Sequence, residues 1–278
     1  MIDKDTILHK WLRIPHPLHV GVDKGSHKPE LTIVFVHGLA NSHAMWGDII
    51  NKIDTRTTRI ISVDLLGFGD SPKPSWQTYS AKVHARSLRL TLQSKGVRSP
   101  ILIVGHSLGS LVAIKYASLY PRSVQSLVLC SPPFYKPSRL PADKRVGPVR
   151  QPDDIYHMLY RNSRYRAEIT RRLADIIKNA RMTSKYFVVS DETMPAIVSS
   201  LEMSIENQTA LEDAKDLIVP TQIVYGQFDP FIIKSHLSEL KKANSNVTTS
   251  VVLAEHEITG NIIFRNAVVG AIKTVSSK

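Results

Sequence analysis

The sequence predicts an α/β fold: a mostly parallel central sheet with helices on both faces and a helical cap inserted between two of its strands. Three observations carry that expectation. Short β-branched or apolar runs recur between glycine, proline and polar turn residues; helical spacing fills most of the gaps between them; and from about 135 to 210 the strands stop while helical patterns continue. The runs are apolar at consecutive positions rather than at alternate ones, which is the pattern of strands covered on both faces.

The elements follow in order. Trp11 to Val22 offers an antiparallel edge interrupted by prolines, which cannot donate to a ladder. "LTIVFV" (Leu31 to Val36) and "RIISVDLL" (Arg59 to Leu66) are the first two core strands. Tyr79 to Lys95 carries Val83, Leu88 and Leu92 at helical spacing and is closed by Gly96, a residue that takes the left-handed conformation helices often end on. "ILIVG" (Ile101 to Gly105) leads into a helix from Leu108 to Leu119, stopped by Pro121, and "SLVLC" (Ser126 to Cys130) follows. In the cap, Pro152, Asp153 and Asp154 start a helix through Ile155, Met158 and Leu159. Tyr165, Ile169, Leu173, Ile176 and Ile177 form a second, and Met194, Ile197, Val198, Leu201 and Ile205 a third. "TQIVYG" (Thr221 to Gly226) and "TTSVVL" (Thr248 to Leu253) return to strand. Residues 1-134 and 211-278 are therefore expected to form the core and 135-210 the cap.

Composition narrows the classes of function. At 278 residues and 42% apolar content the chain can bury one large core. No apolar run reaches the roughly 20 residues of a membrane span, and "MIDKDTILHK" is charged where a secretory signal would be apolar, so a soluble, cytoplasmic protein is expected. Cys130 is the sole cysteine, which rules out an intramolecular disulfide and cysteine-based metal sites. The net charge of +12 is uneven: Lys136 to Lys185 holds 13 Lys and Arg against five Asp and Glu. Arg161, Arg164, Arg166, Arg171 and Arg172 make a basic cap that could give weak contact with an anionic membrane, though a solvated face is the simpler reading. No nucleic-acid motif accompanies the charge, so no nucleic-acid partner is expected.

The chemistry centres on "GHSLG" (Gly105 to Gly109), which fits G-x-S-x-G between a strand and a helix. Ser107 would stand in a tight turn at the C-terminal edge of the sheet, flanked by residues without Cβ atoms because strand end and helix start approach closely there. A serine hydroxyl needs a base to take its proton, and the base needs an acid to orient it. Asp229 in "YGQFDP" and His256 in "VVLAEHEI" each lie just beyond a strand, on the same edge as Ser107. His106 would point elsewhere on the turn, and His236 in "SHLSELKK" reads as a solvated helix residue. An oxyanion also needs donors, and "VFVHGLANSHAMW" supplies them: the backbone N–H of Leu39 can meet that of Leu108. His37 is expected to bond backbone and shape that loop. "DLLGFGDSPKP" is glycine-rich but lacks a phosphate-binding pattern, and its Asp64 and Asp70 read as structural. Cys130 reads as a packed thiol.

Through "HGLANSHAMW", "DLLGFGDSPKP", "GHSLG", "VPTQIVYGQFDP" and "AEHEI" the chain resembles the α/β-hydrolase fold superfamily over nearly its full length, specifically its capped serine hydrolases of carboxylesterase and lipase type. The resemblance implies a core of about eight strands, a helical lid and hydrolysis through an acyl-enzyme, with Ser107 as nucleophile, His256 as base and Asp229 as its orienting acid. Ser107 departs from the aspartate that haloalkane dehalogenases and epoxide hydrolases carry at the elbow. "HGLANS" departs from the "HGxGPG" of carbon–carbon hydrolases, the elbow departs from the "GGSWG" of prolyl aminopeptidases, and Glu255 stands where many relatives have glycine. The expected substrate is a small-molecule ester of short to medium acyl chain, with no cofactor and no metal. A carbon–carbon hydrolase or perhydrolase with the same triad, and a slow-turnover ligand receptor, are the alternatives.

Overall fold

The computed structural model describes residues 4, 6–136 and 184–276. The two expected cap helices at 152–159 and 165–177, and the five arginines between 161 and 172, lie outside the described residues.

Seven strands form one sheet among the described residues, in the order β1-β3-β2-β4-β5-β6-β7. They are β1 (Val20–Gly25), β2 (Leu31–Val36), β3 (Thr58–Val63), β4 (Ile101–His106), β5 (Val124–Cys130), β6 (Thr221–Gly226) and β7 (Val247–Val252). Only β1 runs antiparallel, paired to β3; every other neighbouring pair is parallel. The antiparallel edge thus begins at Val20 rather than Trp11, because Pro15 and Pro17 have no N–H to give a ladder. Side chains of the central strands alternate between two cores. Val34, Val36, Ile61, Val63, Ile103 and Leu129 face one, and Ile33, Phe35, Ile60, Leu102, Val104 and Val128 face the other. Double coverage holds for β2 and β4 but not for β7, an edge strand with a half-exposed face.

The first core is closed by α2 (Ala81–Ser94) and α3 (Leu108–Leu119), which follow a short α1 (Gly47–Ile50). Ser80 caps α2 by accepting the Val83 N–H at 3.3 Å, and Gly96, just past its end, has φ +70. In α3 nearly every position is buried, so its sequence is apolar all round. Each fully buried leucine there is worth about 1.5–3 kcal/mol relative to exposure. The other core is closed by Trp46 and by α7 (Ile262–Ser276).

After the undescribed segment, α4 (Met194–Ser200) continues into a wider π-type turn at Leu201–Glu206, the third expected cap helix, and buries Ala196, Ile197, Leu201 and Ile205 against the first core. Tyr186 to Val189 form no regular element, and Val188 N–H donates to the Ala40 carbonyl at 2.7 Å, laying this segment on the loop after β2. Then come α5 (Ala210–Lys215) and α6 (Lys234–Ala243), either side of β6. No helix among the described residues is long and apolar enough to cross a membrane.

Candidate active site

Parallel strands end on a common edge, so the residues just beyond β2, β4, β5, β6 and β7 gather there. The register aligns His106 with Cys130, Cys130 with Val224, and Gly226 with Val252. Ser107, Ser131, Asp229 and His256 leave the sheet within a few residues of those positions.

Ser107 has φ 51 and ψ −118, a conformation that costs a non-glycine residue about 1–3 kcal/mol. The surroundings hold it. Its N–H donates to the Cys130 carbonyl at 2.9 Å and its carbonyl accepts from Ser110 N–H at 2.9 Å. The two motif glycines are steric requirements: a Cβ on Gly105 would lie 2.4 Å from the Gly109 carbonyl oxygen, and one on Gly109 would lie 2.2 Å from that of Val36. The turn therefore presses α3 against the end of β2, where the loop carrying Leu39 begins.

Asp229 and His256 meet. His256 Nδ1 donates to Asp229 Oδ2 at 2.9 Å, with the Asp229 side chain wholly shielded from solvent. Phe231 N–H donates to Asp229 Oδ1 at 2.9 Å, which fixes the plane of the carboxylate. Burial alone would raise the Asp229 pKa; the His256 imidazole and the hydrogen bonds reverse it, leaving the carboxyl below its ordinary value. The Phe231 ring stands edge-on to His256 at 4.7 Å, an apolar wall that restricts the imidazole's rotation.

Ser107 is joined to this pair through its neighbour. His106 Nε2 donates to the His256 carbonyl at 3.0 Å, and the two rings lie 4.9 Å apart. A carbonyl only accepts, so His106 carries its proton on Nε2, and burial pushes its pKa down to about 3. The sequence showed that His106 turns away from the serine's path, but not that it clamps the loop carrying His256. That contact spans 150 residues and leaves no local pattern.

The loop after β2 is built on His37. Its Nδ1 donates to the Gly38 carbonyl at 2.7 Å and its Nε2 accepts the Leu65 N–H at 2.8 Å, so one neutral tautomer satisfies both bonds. Burial holds its pKa near 4. This agrees with a loop-shaping role, and it shows how "DLLGFGDSPKP" packs near the elbow, through Leu65 and through Phe68, whose ring lies edge-on to His37 at 6.1 Å. Gly38 is so close to the elbow that a Cβ there would sit 3.2 Å from Ser107 Cβ. Leu39 follows Gly38, and Leu108 is the first residue of α3, whose N–H has no partner within its own helix.

Cys130 is buried, and desolvation raises its thiol pKa, as a packed residue requires. His236 is not simply solvated: it is half-buried on α6 and its Nδ1 donates to the Phe134 carbonyl at 2.7 Å. Asp64 is fully buried, accepting from His43 N–H at 2.6 Å and Asp70 N–H at 2.9 Å, and those bonds outweigh burial to lower its pKa.

Comparison with known proteins agrees with this architecture. "Probable lysophospholipase BODYGUARD 5" of Arabidopsis thaliana is 34% identical over 119 residues, 41% of this chain and 27% of that protein. Lipase 3 of a Moraxella species is 26% identical over 221 residues, 76% of this chain and 66% of that protein. The chain thus spans about a quarter of the length of the Arabidopsis relative. Among solved structures, an esterase from Exiguobacterium antarcticum superposes with a TM-score of 0.71 at 16% identity, covering 94% of this chain and 96% of that one. The model of the alpha/beta hydrolase fold family matches residues 32–258, a span that includes Ser107, Asp229 and His256. With that match over most of its length, the chain belongs to the α/β-hydrolase fold family.

Proposed function

We propose that this protein is a serine hydrolase that cleaves carboxylic esters of short to medium acyl chains. The observation that carries the reading is the buried 2.9 Å hydrogen bond between His256 Nδ1 and Asp229 Oδ2, on the same sheet edge as the strained Ser107. It leaves His256 Nε2 as the nitrogen available for proton transfer, the tautomer a general base requires. Relatives described as a lipase and as probable lysophospholipases support an ester carbonyl as the target.

In this mechanism Ser107 Oγ attacks the carbonyl carbon while His256 Nε2 takes its proton. Asp229 stabilises the imidazolium without itself being protonated. The developing oxyanion is met by the N–H groups of Leu39 and Leu108, a reading supported by the close approach of Gly38 to Ser107. Collapse of the tetrahedral intermediate expels the alcohol, protonated by His256. Water, deprotonated by His256, then attacks the acyl-enzyme and releases the acid.

The test is hydrolysis of p-nitrophenyl esters of increasing acyl length, wild type beside Ser107→Ala. Turnover should peak at one chain length and fall on the order of 10³-fold or more in the variant. Equal rates for both proteins on every ester would exclude the mechanism.

A further inference from the structure

A second cluster of chemistry-bearing side chains lies beside the oxyanion loop and takes no part in the mechanism above. His19 precedes β1, His43 lies in the turn after β2, and Asp64 follows β3. One imidazole nitrogen from each histidine and one Asp64 oxygen all lie within 4.8 Å of one another. The sheet register explains the meeting. Val20 pairs with Val63, so His19 and Asp64 leave the ladder side by side, and the Asp64 N–H donates to the His19 carbonyl at 3.0 Å. Ser71 Oγ fixes the same corner, accepting the His19 N–H at 2.8 Å and donating to the Asp64 carbonyl at 2.6 Å.

The geometry points to a binding site for a divalent transition-metal ion of the zinc class, held by His19, His43 and Asp64, with Asp70 able to supply a fourth oxygen. Two imidazoles and a carboxylate are the donor set such ions prefer, whereas calcium and magnesium favour oxygen alone. The 3.0 Å between His43 Nδ1 and Asp64 Oδ1 suits two ligands each about 2.0–2.2 Å from one ion. Asp70 Oδ2 stands 3.8 Å from His19 Nε2.

The cradle is cleared sterically. A Cβ on Gly21 would lie 2.2 Å from the His43 ring, and one on Gly69 would lie 2.3 Å from the Asp64 carboxyl. Access is graded as well: Asp64 is wholly buried, His43 is 24% exposed and His19 38% exposed, so an ion enters from solvent onto an anchored carboxylate. Asp64 Oδ1 keeps the His43 N–H on a remaining lone pair. A metal bond at His43 Nδ1 replaces the hydrogen bond that now joins it to Asp64, and the neutral ring then carries its proton on Nε2. An ion here ties three segments together one residue from Leu65, whose N–H holds His37 and through it the Gly38 turn. Its role is to rigidify the oxyanion side of the site, independently of whether the protein cleaves esters.

The experiment is calorimetric titration of the chelator-stripped full chain with zinc chloride, repeated with calcium chloride. The chain has 11 histidines, so variants localise the site. One zinc per chain, no calcium response, and binding at least about tenfold weaker in both His19→Ala and His19→Gln would support the site. His9→Ala, at a ring stacked on His16, should leave the affinity unchanged. The proposal is overturned if wild type binds no zinc at millimolar concentration, or if both His19 variants bind as tightly as wild type while circular dichroism shows them folded.

Discussion

Replacing His84 by leucine is expected to make the protein more resistant to acid. His84 lies on α2, is fully buried, and neither ring nitrogen has a hydrogen-bond partner among the described residues. Burial pushes its pKa from 6.5 down to about 3. In the unfolded chain the imidazole regains its ordinary value, so below pH 6.5 the unfolded state binds a proton that the native state refuses, and stability falls as pH falls. With those two pKa values the histidine costs about 2 kcal/mol at pH 5 relative to pH 7.5, a factor of about 30 in the folding equilibrium. Leucine has a similar volume, needs no hydrogen bond and does not titrate, so the variant escapes this loss. The assay is urea unfolding of both proteins at pH 7.5 and pH 5. The stability advantage of His84→Leu should be larger at pH 5 by about 2 kcal/mol. An advantage that does not grow between the two pH values would refute the reasoning, since it would mean that His84 titrates alike in both states.

Two further perturbations follow from the site. Asp229→Asn keeps an oxygen for the Phe231 N–H but no longer holds His256 with its proton on Nδ1, so kcat for ester hydrolysis should drop by on the order of 10³–10⁴ with KM little changed; steady-state kinetics on the best p-nitrophenyl ester reads this. Gly109→Ala sets two effects against each other. Alanine gains about 1 kcal/mol in helix propensity, but its Cβ would stand 2.2 Å from the backbone oxygen of Val36, which cannot swing aside as a side chain would. The clash should win, lowering stability by about 1–3 kcal/mol in denaturant titration and reducing kcat as Leu39 is displaced.

Much of the fold is legible in the chain because the physics that makes it is local. Continuous apolar runs are what a doubly covered strand demands, so "LTIVFV" and "TQIVYG" coincide with β2 and β6 residue for residue. "LGSLVAIKYASL" ends where α3 ends, because Pro121 cannot continue a helix. Ser107, Asp229 and His256 are legible for the same reason: each sits just past a strand, and parallel strands must deliver such residues to one edge.

What the sequence by itself determined, then, is the parallel sheet, the elbow and the order of its candidate triad. The tertiary structure alone decided which long-range partners complete them. His106 turned out to clamp His256, His37 to join Gly38 to Leu65, and His19, His43 and Asp64 to converge at the mouth of β1 and β3. None of these has a spacing signature. Each depends on which strands become neighbours, and that choice is made by the packing of two apolar cores rather than by any short stretch of chain.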